Sequence, residues 1–302
     1  MTDENETGQP LDLLLRLLDL ERLELNLFRG HNRDIGSGRV FGGQVLAQAL
    51  VAAGRTVERG QAHSLHGYFM LPGDVDTPIV YQVDRIRDGR SFTTRRVLAI
   101  QEGREIFSML CSFHLEEEGI SHGAPPPRVP PPEELPRELD LVRAMAHRIP
   151  EHLRAVYVQD RPIDFRPVAP VDPFAPEVRP PLKHVWFRAE GTMPDEPILH
   201  QAVLAYASDY GLLGTALLPH GLSFLMRRVQ AASLDHAVWF HRPFRVDDWL
   251  LYAMDAPAAA GARGFARGSI FTRDGEMIAS TAQEGLLRML RDPHPADDRA
   301  SG

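Results

Sequence analysis

Apolar and polar positions along this chain fall into two similar series. In the first, Gly43-Gln44-Val45-Leu46-Ala47-Gln48-Ala49-Leu50 is a small-residue, largely apolar stretch that predicts a buried helix. Three segments then carry period-two character: Ile79-Tyr81-Val83, Thr93-Arg95-Val97-Ala99 and Ile106-Ser108-Leu110-Ser112. They alternate or run apolar as half-buried antiparallel strands do. The second series repeats the first. Gln201-Ala202-Val203-Leu204-Ala205-Tyr206-Ala207 matches the helical stretch at an offset of 158, and Trp239–Pro243 echoes Tyr68–Pro72 at an offset of 171. Arg90-Ser91-Phe92 and Arg263-Gly264-Phe265 open two strand pairs, which turn at Glu102-Gly103 and Asp274-Gly275. An acidic–Gly step between alternating segments is a hairpin signal. Three matches in one order indicate an internal duplication.

A helix followed by a run of strands predicts an α+β unit with the helix against one sheet face. Gly42, Gly43, Ala47, Ala49, Ala52 and Ala53 leave room for a curved sheet to approach that helix closely. Between the two units lies a different composition: 15 of the 25 prolines fall between Pro125 and Pro181. Such density excludes a regular helix or a central strand and favours a looping connection. Only Leu139–Ile149 reads as one short helix within it. The expected organisation is an N-terminal unit over 1–115, a proline-rich connection over 116–181, a C-terminal unit over 182–291 and a tail over 292–302.

Composition narrows the function classes. No run of eighteen apolar residues is present, so no membrane span is expected. The acidic, polar MTDENETGQP start is unlike a secretory or transit segment, and the DDRASG end carries no peroxisomal address. One cysteine, Cys111, leaves no internal disulfide and no Cys-based zinc site, and a cytoplasmic location follows as the expectation. A net charge of −8 argues against nucleic acid as a partner. Arg87, Arg90, Arg95 and Arg96 still form one local cluster, which either binds phosphate or solvates an exposed strand face.

The chemistry-bearing positions concentrate in the second series. Asp209 closes the helical stretch, where a carboxylate meets the unfavourable end of the helix dipole among apolar and aromatic neighbours. It is either a functional acid or a turn residue that bonds the following backbone. Ser233 and Gln283 are single polar residues in the strand-like segments Ala231–Phe240 and Met277–Leu287, and the first-series counterpart of Gln283 falls near Cys111. His63 and His66 would point to opposite strand faces and, like Asp235-His236 and His241, are read as structural rather than as metal ligands or a catalytic base. No nucleophile elbow, Walker loop or dinucleotide fingerprint occurs, and Cys111 lacks an activating environment.

FGGQVLAQAL (41–50), HSLHGYFMLPGD (63–74), RDGRSFTTRRV (87–97), LAYASDYGLL (204–213), LDHAVWFHRPF (234–244) and ARGFARGSIFTRDGEMIASTAQEG (262–285) resemble the acyl-CoA thioesterase II family of double hotdog enzymes. The resemblance reaches across both units and misses mainly the proline-rich centre. It implies two fused hotdogs, each an antiparallel sheet wrapped around a central helix. It also implies hydrolysis of fatty acyl-CoA, of medium to long chain, by a positioned water without a cofactor. The family's catalytic aspartate, hydroxyl and glutamine map to Asp209, Ser233 and Gln283. Ser233 stands where the family usually has Thr, which keeps the hydroxyl and loses a methyl. Gly42 and Gly43, at a helix start, are expected to offer backbone donors to the thioester carbonyl, with His66 and Arg90 as further substrate contacts. The acyl chain would lie in an apolar tunnel between helix and sheet. Copies are expected to associate as homo-oligomers through sheet edges. Two other readings remain: a hotdog hydratase or dehydratase, which needs an Asp–His or Glu–His pair on the helix, and a non-catalytic acyl-CoA-binding protein. His200, nine residues before Asp209, is the only histidine on that helical stretch.

Overall fold

The computed structural model describes residues 8–36, 38–226 and 229–290; the tail over 292–302 lies outside the described residues. The first half runs α1 (Pro10–Leu18), β1 (Glu21–Glu24), β2 (Leu27–Gly30), α2 (Gly42–Gly54), β3 (Gln61–Phe69), β4 (Ile79–Asp88), β5 (Phe92–Gln101) and β6 (Arg104–His114). Next come α3 (Glu138–Ala144), α4 (Glu151–Val158) and β7 (Ile163–Pro167). The second half runs β8 (Leu182–Ala189), α5 (Pro197–Ser208), β9 (Val229–Ser233), β10 (Asp235–Phe240), β11 (Leu250–Ala260), β12 (Arg263–Thr272) and β13 (Met277–Met289).

Among the described residues the strands form one continuous sheet in the order β1-β2-β4-β5-β6-β3-β10-β13-β12-β11-β8-β7, with β9 beside β13. Read from either edge to the middle, the order is the same. At the centre β3 and β10 pair antiparallel from Tyr68↔Asp235 to Ser64↔Trp239, which joins two half-sheets into one. This is an α+β double hotdog, as the duplicated pattern implied.

The two long helices sit in the concavity. Every residue of α2 from Gly43 to Ala53 is buried, as expected for a helix apolar around its whole circumference. A side chain added at Gly54 would meet Ile198 at the start of α5, and one added at Gly43 would meet the Tyr206 carbonyl near its end. The helices therefore run antiparallel, and each N-terminus lies beside the other's C-terminus. Small residues permit that close approach.

Three local features refine the sequence picture. The β5–β6 hairpin turns through Glu102 and Gly103, with φ of 48° and 73°, the paired left-handed turn that an acidic–Gly step favours. In β6 the inward face is Phe107, Met109, Cys111 and Phe113; Ser108, Leu110 and Ser112 face outward, because the strand shifts register near its start. The proline-rich stretch also contributes structure. Strand β7 pairs with β8 at a sheet edge, where Pro167 interrupts no inner ladder. Before it, Val129 and Leu135 pack on Trp186, Trp249, Leu251 and Phe271, and the Trp186 indole donates to the Pro130 carbonyl at 2.9 Å.

Candidate active site

Asp209 caps the C-terminus of α5, and its side chain is only 5% exposed. Antiparallel helix packing brings it to the other helix's start. A Cβ at Gly42 would lie 2.8 Å from Asp209 Oδ2 and 3.0 Å from the Phe69 ring. At Gly43 a Cβ would lie 2.5 Å from the Tyr206 carbonyl oxygen. Both positions therefore require glycine for contact reasons. The N-cap Phe41 makes no side-chain cap bond, and among the described residues its carbonyl accepts only from Gln44 and Val45. The first amides of α2 are thus left for another acceptor, with the helix dipole behind them.

Strands supply the remaining polar groups. Gln283 on β13 is 1% exposed, and its Nε2 donates to Asp209 Oδ1 at 2.5 Å and to Ser233 Oγ at 3.1 Å. Ser233, the last residue of β9, donates its hydroxyl to the same carboxylate oxygen at 3.5 Å. The Gln283 Oε1 is buried with no donor in reach among the described residues. A buried amide oxygen needs a donor, and a water lying between it and the carboxylate would supply one. Oδ1 is anchored by the amide and hydroxyl, while Oδ2 faces the start of α2. An anchored acid, an unsatisfied acceptor and free backbone donors thus converge on one point, a suitable arrangement for activating water against a carbonyl.

The structure brings five of the seven site residues expected from sequence together: Asp209, Ser233, Gln283, Gly42 and Gly43. It places His66 and Arg90 elsewhere. His66 is exposed on the outer sheet face, edge-on to Trp239 with ring centroids 4.9 Å apart. Arg90 lies on the β4–β5 turn, in a surface cavity of about 350 Å³ with Thr56, Arg59 and Arg85. That cavity is at the far end of α2, on the order of 20 Å from Asp209 for a helix of this length. Two other members of the arginine cluster are internally paired. Arg95, 1% exposed, bonds Thr56 Oγ1, the Thr56 carbonyl and Asp88; Arg96 bonds Asp84.

Cys111 is sealed beneath β5, with burial pushing its thiol up to about 12, so no reactive thiolate forms there. His200 sits in the first turn of α5 and accepts from the Val246 amide at 3.1 Å, so it makes no pair with Asp209. One histidine read from sequence as structural lies at the site. His236 on β10, fully buried, stands behind Asp209 with Nδ1 3.8 Å from Oδ1. The available signal was the difference between the repeats, because its counterpart in β3 is Leu65.

That correspondence extends through the site. Aligning Val45–Ala49 with Val203–Ala207 sets Val51 against Asp209, and Gly42 and Gly43 against His200 and Gln201. Leu65 pairs with Cys111, while the register of β10 on β13 sets His236 opposite Gln283. Ala62 stands to Phe113 as Ser233 stands to Gly285. Arg95 faces Cys111 as Ala266 faces Gln283.

Comparison with known proteins identifies the family. Family profiles described as acyl-CoA thioesterase and acyl-CoA thioesterase N-terminal domain match residues 153–286 and 31–114. The chain is 40% identical over 279 residues to acyl-CoA thioesterase 2 of Haemophilus influenzae, covering 92% of this chain and 98% of that one. The crystal structure of acyl-CoA thioesterase II TesB2 from Mycobacterium marinum superposes with a TM-score of 0.74 at 44% identity, over 92% of this chain and 98% of that chain. A hot dog fold protein from Alicyclobacillus acidocaldarius shares the fold at a TM-score of 0.75 and 22% identity, over 92% and 98% of the two chains. The chain belongs to the acyl-CoA thioesterase II family.

Proposed function

We propose that this protein hydrolyses fatty acyl-CoA thioesters, of medium to long chain, at Asp209, Ser233 and Gln283. The observation that carries the reading is the buried Gln283 amide. Its nitrogen anchors the Asp209 carboxylate at 2.5 Å, while its oxygen has no partner among the described residues. A water held by that oxygen and by Asp209 is oriented towards a carbonyl lying at the start of α2.

In the reaction, the water oxygen bonds the thioester carbon as its proton passes to Asp209. The oxyanion accepts from the free amides of Gly42 and Gly43, whose lack of side chains lets the carbonyl approach. Collapse of the tetrahedral intermediate breaks the C–S bond, and the CoA thiolate takes up the proton. Ser233 holds the Gln283 amide and the carboxylate in one geometry and is not a nucleophile. Val40, Phe69, Tyr206, Tyr210 and Leu287 are partly buried hydrophobic residues packed on the core near this point, and they support an aliphatic acyl group.

The hydratase alternative loses support because the one histidine near Asp209 is sealed behind it, where no substrate reaches. The test is release of free CoA from acyl-CoAs of graded chain length, comparing the native protein with Asp209→Asn. Turnover is expected to fall at least ~100-fold in the variant, as for removal of a general base. Full turnover in Asp209→Asn, or a hydroxyacyl-CoA product in place of free CoA, refutes the assignment.

A further inference from the structure

His236 has no role in the reaction as written, yet its surroundings are specific. Its Nε2 lies 2.8 Å from Ser208 Oγ. The single Ser208 hydroxyl proton is committed to the Ala205 carbonyl at 2.9 Å, so Oγ accepts and Nε2 carries the hydrogen. In the neutral ring this leaves a lone pair on Nδ1, which points at Asp209 Oδ1 from 3.8 Å and has no donor of its own. Burial lowers the pKa of the ring, against the upward pull of Asp209 and Asp235, and favours that neutral form. A buried acceptor without a donor is costly. The fold does not require it, because Leu65 fills the corresponding position in β3 with equally complete burial.

We propose that His236 is a positioning residue that acts through Asp209, receiving a hydrogen bond from its carboxylic acid during turnover. This rests on Asp209 being the general base. Before reaction, the Nδ1 lone pair and the carboxylate face each other with no proton between them. When the attacking water gives its proton to Oδ2, a half-turn of the carboxyl group about Cβ–Cγ exchanges its two oxygens, and a shift of about 1 Å then turns the 3.8 Å contact into a hydrogen bond from the new O–H to Nδ1. The proton is then held on the buried side of the carboxyl group, away from the oxyanion. It stays there until the C–S bond breaks and the reverse turn of the carboxyl group presents it to the departing thiolate, which carries the electron pair and takes it up. No charge leaves the Asp209–His236 pair in the interval. Ser208 fixes the ring: the Tyr252 hydroxyl donates to its carbonyl at 3.1 Å and bonds Thr281 Oγ1 at 2.7 Å, so β11 and β13 brace the end of α5.

Two substitutions separate this role from packing. His236→Gln can keep a donor at the Nε2 position for Ser208 but has no acceptor at Nδ1. His236→Leu removes both and reproduces the first half's own residue. Steady-state thioester hydrolysis should show kcat reduced about 10-fold in both variants, with KM within about twofold of the native value. His236→Gln should also unfold at the native temperature. If His236→Gln restores native kcat while His236→Leu does not, the ring serves only to hold Ser208 and the proposal fails. It fails equally if both variants turn over at the native rate, or if KM rises while kcat holds. Asp209→Asn keeps the two claims apart: an active Asp209→Asn overturns the general base itself. An inactive Asp209→Asn beside a fully active His236→Gln overturns only the role of His236.

Discussion

Either side of the β3–β10 seam, matching backbones carry opposite chemistry. The second half places Asp209, Ser233, His236 and Gln283 where the first has Val51, Ala62, Leu65 and Cys111. The helix starts differ as well. Gly42 and Gly43 leave the first amides of α2 bare beside Asp209, whereas their counterparts in α5 are His200 and Gln201. Gln201 donates to the Ala62 carbonyl at 2.7 Å, closing the space that glycine leaves open. Arg95 fills the first half's concavity at the register position of Ala266. The proposed site therefore takes one residue set from each half: the second offers acid, amide and hydroxyl, and the first offers an uncovered helix start. A cavity of about 1130 Å³ lies at the opposite end of the helix pair, by Ala62, His63, His114 and Gln201. Cavity size alone would have selected the end of the helix pair without the acid.

The comparison can be pressed from both sides. The largest stability effect is expected in the first half. Arg95→Met should lower unfolding free energy by about 3 kcal/mol in urea titrations, because the Thr56 hydroxyl and carbonyl lose a buried charged donor. Its kcat should change less than twofold, and a large kcat loss would mean that the halves are coupled at Arg95. In the second half, Gln283→Met should reduce kcat about 30-fold, or about 2 kcal/mol in barrier, with little loss of stability. Equal activity in that variant would leave the water without its proposed acceptor.

The smallest effect is a pH dependence of stability. His63, His184, His200, His236 and His241 all have pKa values lowered by burial, so the folded state binds fewer protons than the unfolded chain just below their ordinary range. Stability should hold above about pH 6.5 and decline as pH falls below it. Thermal unfolding between pH 7.5 and 5.5 measures this, and a midpoint that rises on acidification contradicts the sign.

Much of this arrangement was legible in the residues. Duplication showed in the offsets, because each repeat must place a small-residue helix against its own sheet, and Asp209 stood out as an acid at an apolar helix end. Other features depend on tertiary register. The β6 pattern misled because Ile106, Ser108, Leu110 and Ser112 alternate as plausibly as Phe107, Met109, Cys111 and Phe113, and only pairing with β5 selects the inner face. Arg95 and Arg90 look equivalent in sequence, yet pairing buries one and the turn exposes the other. His66 and His236 both sit in aromatic strands, and the inward or outward sense of each strand decides which one approaches Asp209.

Each chain is proposed to have one hydrolytic centre, assembled across the two halves and dependent on Asp209. Residual turnover of Asp209→Asn on a single acyl-CoA at saturation, per mole of chain, tests it most directly. At most ~1% of native turnover should remain, since a missing general base costs ~100-fold or more. About half of native turnover remaining would mean that the first half, with Val51 and Cys111, hydrolyses thioesters independently.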